Sequence, residues 1–114
     1  MEIQHKLIQT KAVGGTLVLH PIGDIDMHES PKLRAVVLAE MKKKPQAVIV
    51  DLSRVGFIDS SGIATLVETL KEAKKIGAGL SLCGMSAKIL DVFELARLDK
   101  VFKIARSLEE LTGE

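Results

Sequence analysis

The six residues Ala47-Val-Ile-Val-Asp-Leu52 constrain the fold more than any other segment of the chain. The run is short, continuous, β-branched and apolar, which is the pattern of a strand buried on both faces. Two buried faces require covering layers, and helical patterns elsewhere can supply them. Ser30-Pro31 offers a capping side chain followed by proline at the first helical position, and Leu33, Val36, Val37 and Met41 follow at helical spacing. Lys42, Lys43 and Lys44 are expected to close that helix against the negative end of its dipole. A second stripe, Ile63, Leu66, Val67 and Leu70, follows Asp59 and should stop at Gly77 or Gly79. A third helix is expected over 86–96, carrying Ile89, Val92, Phe93 and Leu95 or Ala96. Ser107 with Glu110 makes a capping box for a short last helix.

Strands are expected over 3–10 and 16–22, joined by Gly14-Gly15, a dipeptide suited to a tight hairpin because glycine accepts positive φ. Two more follow over 80–83 and 101–104. The order predicts an α/β domain with a mixed, mostly parallel central sheet, opening with an N-terminal hairpin and carrying about four helices. At 114 residues the chain reads as a single domain over 1–114. Aromatic residues make up only 3%, so the core must be aliphatic.

Composition also excludes function classes. A net charge of +1 and the absence of Trp and Tyr leave neither an electrostatic footprint nor a stacking platform for nucleic acid. The first residues, Met1-Glu-Ile-Gln-His5-Lys, lack the basic start and apolar block of a signal peptide, and no apolar run is long enough to insert into a membrane. A cytoplasmic location is therefore expected. Cys83, the single cysteine, reads as a reduced, packed thiol. No Gly-x-Ser-x-Gly elbow accompanies the serines, and His5, His20 and His28 do not form an evident base, so no catalytic residue is assigned. Asp24, Asp26, His28 and Glu29 lie close in sequence but lack metal-ligand spacing, which predicts a solvated loop with no metal or cofactor.

The segment that carries a function is the one leaving the buried strand, Asp51-Leu52-Ser53 through Phe57-Ile58-Asp59-Ser60-Ser61-Gly62. In chemical terms it is a strand delivering a serine-rich helix start. Ser60 is expected as N-cap, accepting from the amides of Ser61, Gly62 or Ile63, and Gly62 is expected to leave room for another molecule's backbone. A phosphate on Ser60 would add about −1.5 to −2 charges beside Asp59, with the helix N-terminus helping to solvate it.

This segment resembles the signature of the STAS family, named for sulfate transporters and anti-sigma factor antagonists. Gly23-Asp24-Ile25-Asp26 is similar to that family's Gly-Glu-Leu-Asp segment, with Asp24 in place of the commoner Glu, and 82–98 resembles the region after its fourth strand. The resemblance covers nearly all the chain and implies a STAS-like fold. It implies a stand-alone anti-sigma factor antagonist with Ser60 as phospho-acceptor and Asp24, Asp26, Asp59, Ser60, Ser61 and Gly62 at the partner-binding surface. The implied partners are an anti-sigma factor that is also a serine protein kinase, and a phosphatase that reverses the modification. The same family also includes subunits of lipid-transport ABC systems and signalling scaffolds, an alternative use of the same helix as a protein interface.

Overall fold

A computed structural model describes residues 8–113. The hairpin forms from β1 (Ile8–Val13) and β2 (Thr16–Pro21), paired antiparallel from Val13 opposite Thr16 to Ile8 opposite Pro21. Gly14 and Gly15 turn with φ of 56° and 86°, the paired positive values of a tight two-residue hairpin loop. The first strand extends to Val13, beyond its expected end at Thr10. Residues 3–7 of the expected strand, and His5 with them, lie outside the described residues.

From β2 onward the chain repeats strand and helix: α1 (Ser30–Met41), β3 (Ala47–Asp51), α2 (Ser60–Lys75), β4 (Gly79–Cys83), α3 (Ala87–Leu95), a 3₁₀ turn (Leu98–Lys100), β5 (Lys103–Ala105) and α4 (Leu108–Thr112). The five strands lie in sequence order, and β2 to β5 are mutually parallel. Successive crossovers of one hand between adjacent parallel strands place their helices on one face. The packing agrees. Leu17, Leu19, Val48, Val50, Leu80 and Leu82 point to the same side and bury against Leu33, Val37, Leu66, Ile89 and Phe93 of α1 to α3. The alternate residues Val18, Ile49 and Cys83 form a smaller cluster on the reverse face, where Leu108 and Leu111 of α4 pack. Val48, Ile49 and Val50 are all buried, as a central strand requires.

Several local expectations are corrected. Ser30 does not cap α1 but lies inside it; Glu29 is the N-cap and makes no side-chain cap bond. Lys42 to Lys44 follow the helix instead of closing its last turn, and Lys44 leaves with φ 52° in the left-handed region. The buried stripe of α2 is Gly62, Thr65, Leu66, Thr69 and Ala73, with Ile63, Val67 and Leu70 half-buried at its flanks. Val92 and Leu95 of α3 are exposed, leaving Ile89 and Phe93 as its anchors.

Candidate functional site: the paired helix N-termini

In a parallel sheet the loops leaving the carboxyl ends of the strands gather at one edge, where helix N-termini also point. Here the loops after β2 and β3 are joined by backbone bonds. The Gly23 amide donates to the Arg54 carbonyl at 3.0 Å, the Ile25 amide to Phe57 at 2.9 Å and the Asp59 amide to Ile25 at 3.2 Å. Ile25 and Ile58 pair as a short parallel bridge, and both side chains are buried. This zipper sets the starts of α1 and α2 side by side.

The cap of α2 is Asp59, not Ser60. Asp59 is extended (φ −100°, ψ −175°), and its Oδ1 accepts from the Ser61 amide at 2.9 Å, the Gly62 amide at 3.0 Å and the Ser61 hydroxyl at 2.6 Å. A carboxylate carries full charge to the positive end of the helix, so it outcompetes a neighbouring hydroxyl for those amides. The Ser61 hydroxyl first, then the Gly62 amide and the Ser61 and Met27 backbones, hold the Asp59 carboxyl below the usual carboxylate range. Ser60 becomes the first helical residue, and its side chain is exposed. Among the described residues, its hydroxyl has no hydrogen-bond partner. Of the amides at this helix start, those of Ser61 and Gly62 are held by Asp59.

Gly62 is buried and faces inward. A Cβ there would stand 2.6 Å from Ile58 Cγ1 and 2.7 Å from the Ile25 carbonyl oxygen. Its lack of a side chain therefore serves the close seating of α2 on the loop zipper; the room expected for an incoming backbone is filled by the chain itself. Asp26 works in the adjoining turn: Oδ1 accepts from the amides of His28 at 2.9 Å and Glu29 at 3.0 Å, leading the chain into α1. Asp24 is exposed beside Gly56 on the rim. Asp26, Asp59, Ser60, Ser61 and Gly62 are thus brought to one place, with Asp24 at its margin.

Three further residues belong to this site: Met27 and Ser30, in the 26–30 loop that the family resemblance also implies for partner contacts, and Phe57. Ser30, buried, lies with its Oγ 2.9 Å from Ser61 Oγ and 2.7 Å from the Asp26 carbonyl oxygen, so it ties the two helix starts together. Met27 and Phe57 are 74% and 45% exposed, on the two zipped loops. A large apolar residue inside a polar turn, such as Met27 in Asp26-Met-His-Glu29, was the available signal.

The comparisons with known proteins agree with this architecture. The STAS domain model matches residues 8–111. The anti-sigma-B factor antagonist of Bacillus subtilis is 32% identical over 89 residues, covering 76% of this chain and 79% of that protein. An anti-sigma factor antagonist from Mycobacterium paratuberculosis superposes with a TM-score of 0.78 at 30% identity, covering 93% of this chain and 91% of the other. The Bacillus cell-fate determinant SpoIIAA, in its phosphorylated form, superposes with a TM-score of 0.73 at 23% identity, covering 93% of this chain and 96% of the other. With a family model spanning nearly all its length and the paired helix starts in place, the chain belongs to the STAS domain family.

Proposed function

We propose that this chain is an anti-sigma factor antagonist whose docking surface is the paired helix start, switched by phosphorylation of Ser60. The observation that carries the reading is the contrast between the two serines. Ser61 is half-buried and hydrogen-bonded, whereas Ser60 presents an unengaged hydroxyl to solvent on a turn fixed by the Asp59 cap. The relatives named anti-sigma factor antagonists support the role, and SpoIIAA, which shares the fold, is a protein solved in both unphosphorylated and phosphorylated forms.

In the unmodified state the surface offers Met27 and Phe57 as apolar contacts, with Asp24, Asp26 and Asp59 around them. An anti-sigma factor bound there would be held away from its sigma factor. Where that partner is also a serine kinase, the Ser60 oxygen attacks the γ-phosphorus of ATP, the hydroxyl proton passes to the kinase, and ADP leaves. The product carries about −1.5 to −2 additional charges at pH 7. Asp59 already holds the Ser61 and Gly62 amides, so the new charge adds to a carboxylate next door. Returning that surface to a desolvated interface is then costly, and the partner is released without a change of fold. A phosphatase restores the hydroxyl. The chain contributes the acceptor and the surface, and the chemistry belongs to its partners.

Incubation with the cognate kinase and ATP, followed by mass spectrometry, should place one phosphate on Ser60. Phosphate on Ser61 alone, or none with an active kinase, would overturn the assignment. Ser60→Glu should weaken partner binding in calorimetry while leaving the thermal transition in place.

A further inference from the structure

Opposite the paired helix starts, the carboxyl ends of α1, α2 and α3 gather at the other edge of the sheet, because each crossover helix runs antiparallel to the strands it joins. The acids Asp24, Asp26 and Asp59 lie at the helix starts. At the other edge, Lys42, Lys43 and Lys44 follow α1, Lys74 and Lys75 close α2, and Arg97 and Lys100 follow α3. All of these basic residues are exposed. Lys43 is paired with Glu40 at 2.9 Å and Lys75 with Glu72 at 2.8 Å, and Glu94 and Asp99 add acids around Arg97. The edge keeps a basic excess in a chain whose formal net charge is only +1.

Backbone geometry singles out two of the cations. Among the described residues, Lys44 (φ 52°) and Arg97 (φ 59°) are the non-glycine residues in the left-handed region, and each stands where a helix has just ended. Glycine is the unstrained choice at such a position, and Gly77 takes it after α2 with φ 72°. A lysine and an arginine held there cost backbone energy that glycine avoids, and strain of that kind points to a use for the side chains.

The same edge carries apolar surface. Leu95 is 86% exposed, the highest value among the large apolar side chains described, and Val101 is 52% exposed. Exposed apolar groups set among cations fit the interface of an anionic bilayer, where ammonium and guanidinium groups meet lipid phosphates and the apolar side chains enter the acyl boundary. Nucleic acid offers Leu95 and Val101 no such boundary, and the chain has no Trp or Tyr to stack on bases. We propose that this edge is a peripheral membrane-binding face for anionic phospholipid, with Lys44 and Arg97 as headgroup contacts and Leu95 as the apolar anchor. The surface of the paired helix starts then faces away from the bilayer and stays open to a protein partner. Binding of this kind requires neither Ser60 nor its modification.

Sedimentation of the full chain with lipid vesicles is the test. Phosphatidylcholine vesicles containing phosphatidylglycerol should pull the chain down at low salt, phosphatidylcholine alone should not, and added salt should release it. Lys44→Gly combined with Arg97→Gly should hold or raise the thermal transition, since glycine relieves both turns, while weakening vesicle binding about fivefold for each charge removed. Because the chain contains no Trp, Leu95→Trp supplies a single emission probe. Its emission should shift to the blue on anionic vesicles, and that of Met27→Trp, at the opposite edge, should not. No sedimentation with anionic vesicles overturns the proposal, as does equal binding to neutral vesicles or unchanged binding in the double glycine variant. Binding to a DNA duplex with none to vesicles overturns it too and assigns the cations to nucleic acid. A blue shift at Met27→Trp overturns the orientation.

Discussion

At the scale of single residues, burial and charge decide which groups can react. Cys83 has no exposed surface, and it sits next to Asp51, its register partner in β3. Burial, then the Asp51 carboxylate, push its thiol up to about 12. Asp51 is itself placed by the His20 ring, with Nδ1 at 3.0 Å from Oδ2, and by the Ser53 amide, which donates to Oδ1 at 3.0 Å. The thiolate is the nucleophile, so native Cys83 should resist iodoacetamide at pH 8 and react at the rate of a free thiol only in denaturant. Rapid labelling of the native chain would contradict this placement. A thiol that keeps its proton in the folded state stabilises the fold below the ordinary value of 9.0, and that contribution is lost as pH rises toward about 12. Gly62 is the opposite kind of residue, important for what it lacks. Adding a methyl group at 2.6–2.8 Å from Ile58 and Ile25 forces α2 off the loop zipper. Gly62→Ala should therefore cost about 1–3 kcal/mol in urea denaturation, despite the higher helix propensity of alanine.

At the scale of elements, α2 shows how one cap organises a helix whose first residue, Ser60, is exposed. Its first turn is held by Asp59, and its buried stripe includes two hydroxyls that are satisfied within the helix. Thr65 Oγ1 donates to the Ser61 carbonyl at 3.0 Å and Thr69 Oγ1 to the Thr65 carbonyl at 2.8 Å. On the surface, Nε of Arg34 in α1 donates to both carboxylate oxygens of Glu68 in α2, which links the two helices. With the cap on Asp59, Asp59→Ala should lower the urea midpoint clearly, whereas Ser60→Ala should change stability by no more than roughly 0.5 kcal/mol. For the proposed switch, Ser60→Ala can then be read as loss of the proposed acceptor. The Asp59 carboxyl is lowered in the folded state, so the stability it contributes is present above the ordinary value of 3.8 and is lost as pH falls through the folded value. Asp59→Asn keeps an acceptor but cannot titrate, and should flatten the acid limb of the urea midpoint against pH.

At the scale of the whole molecule, one core joins every parallel strand. Leu19, Val50 and Leu82 belong to the same cluster as Leu33, Leu66 and Phe93, so none of α1 to α3 can leave its face without opening the others. Leu82→Ala, at a side chain with no exposed surface, should cost about 2–5 kcal/mol and lower the transition as a single step with an unchanged denaturant slope. Much of this architecture is written locally. The apolar run of β3, the glycine pair of the hairpin and the Ser86 cap of α3 each act within a few residues, so they are legible without tertiary context. The Asp59-Ser60-Ser61-Gly62 segment was legible in the same way as a helix start and as a family signature. What could not be read was the division of labour inside it. Asp59 takes the cap because the Ile25–Ile58 bridge sets it extended before the helix, and Gly62 is required because that same bridge lies beneath it. Ser30 finds Ser61 only because two loops about thirty residues apart are zipped together at one sheet edge. By itself the sequence determined the order of elements and the place of the helix start that forms the candidate site, since these depend on periodicity and turn chemistry over short spans. The tertiary structure alone decided which serine is free, because a hydroxyl's partners are set by what the fold brings within 3 Å of it.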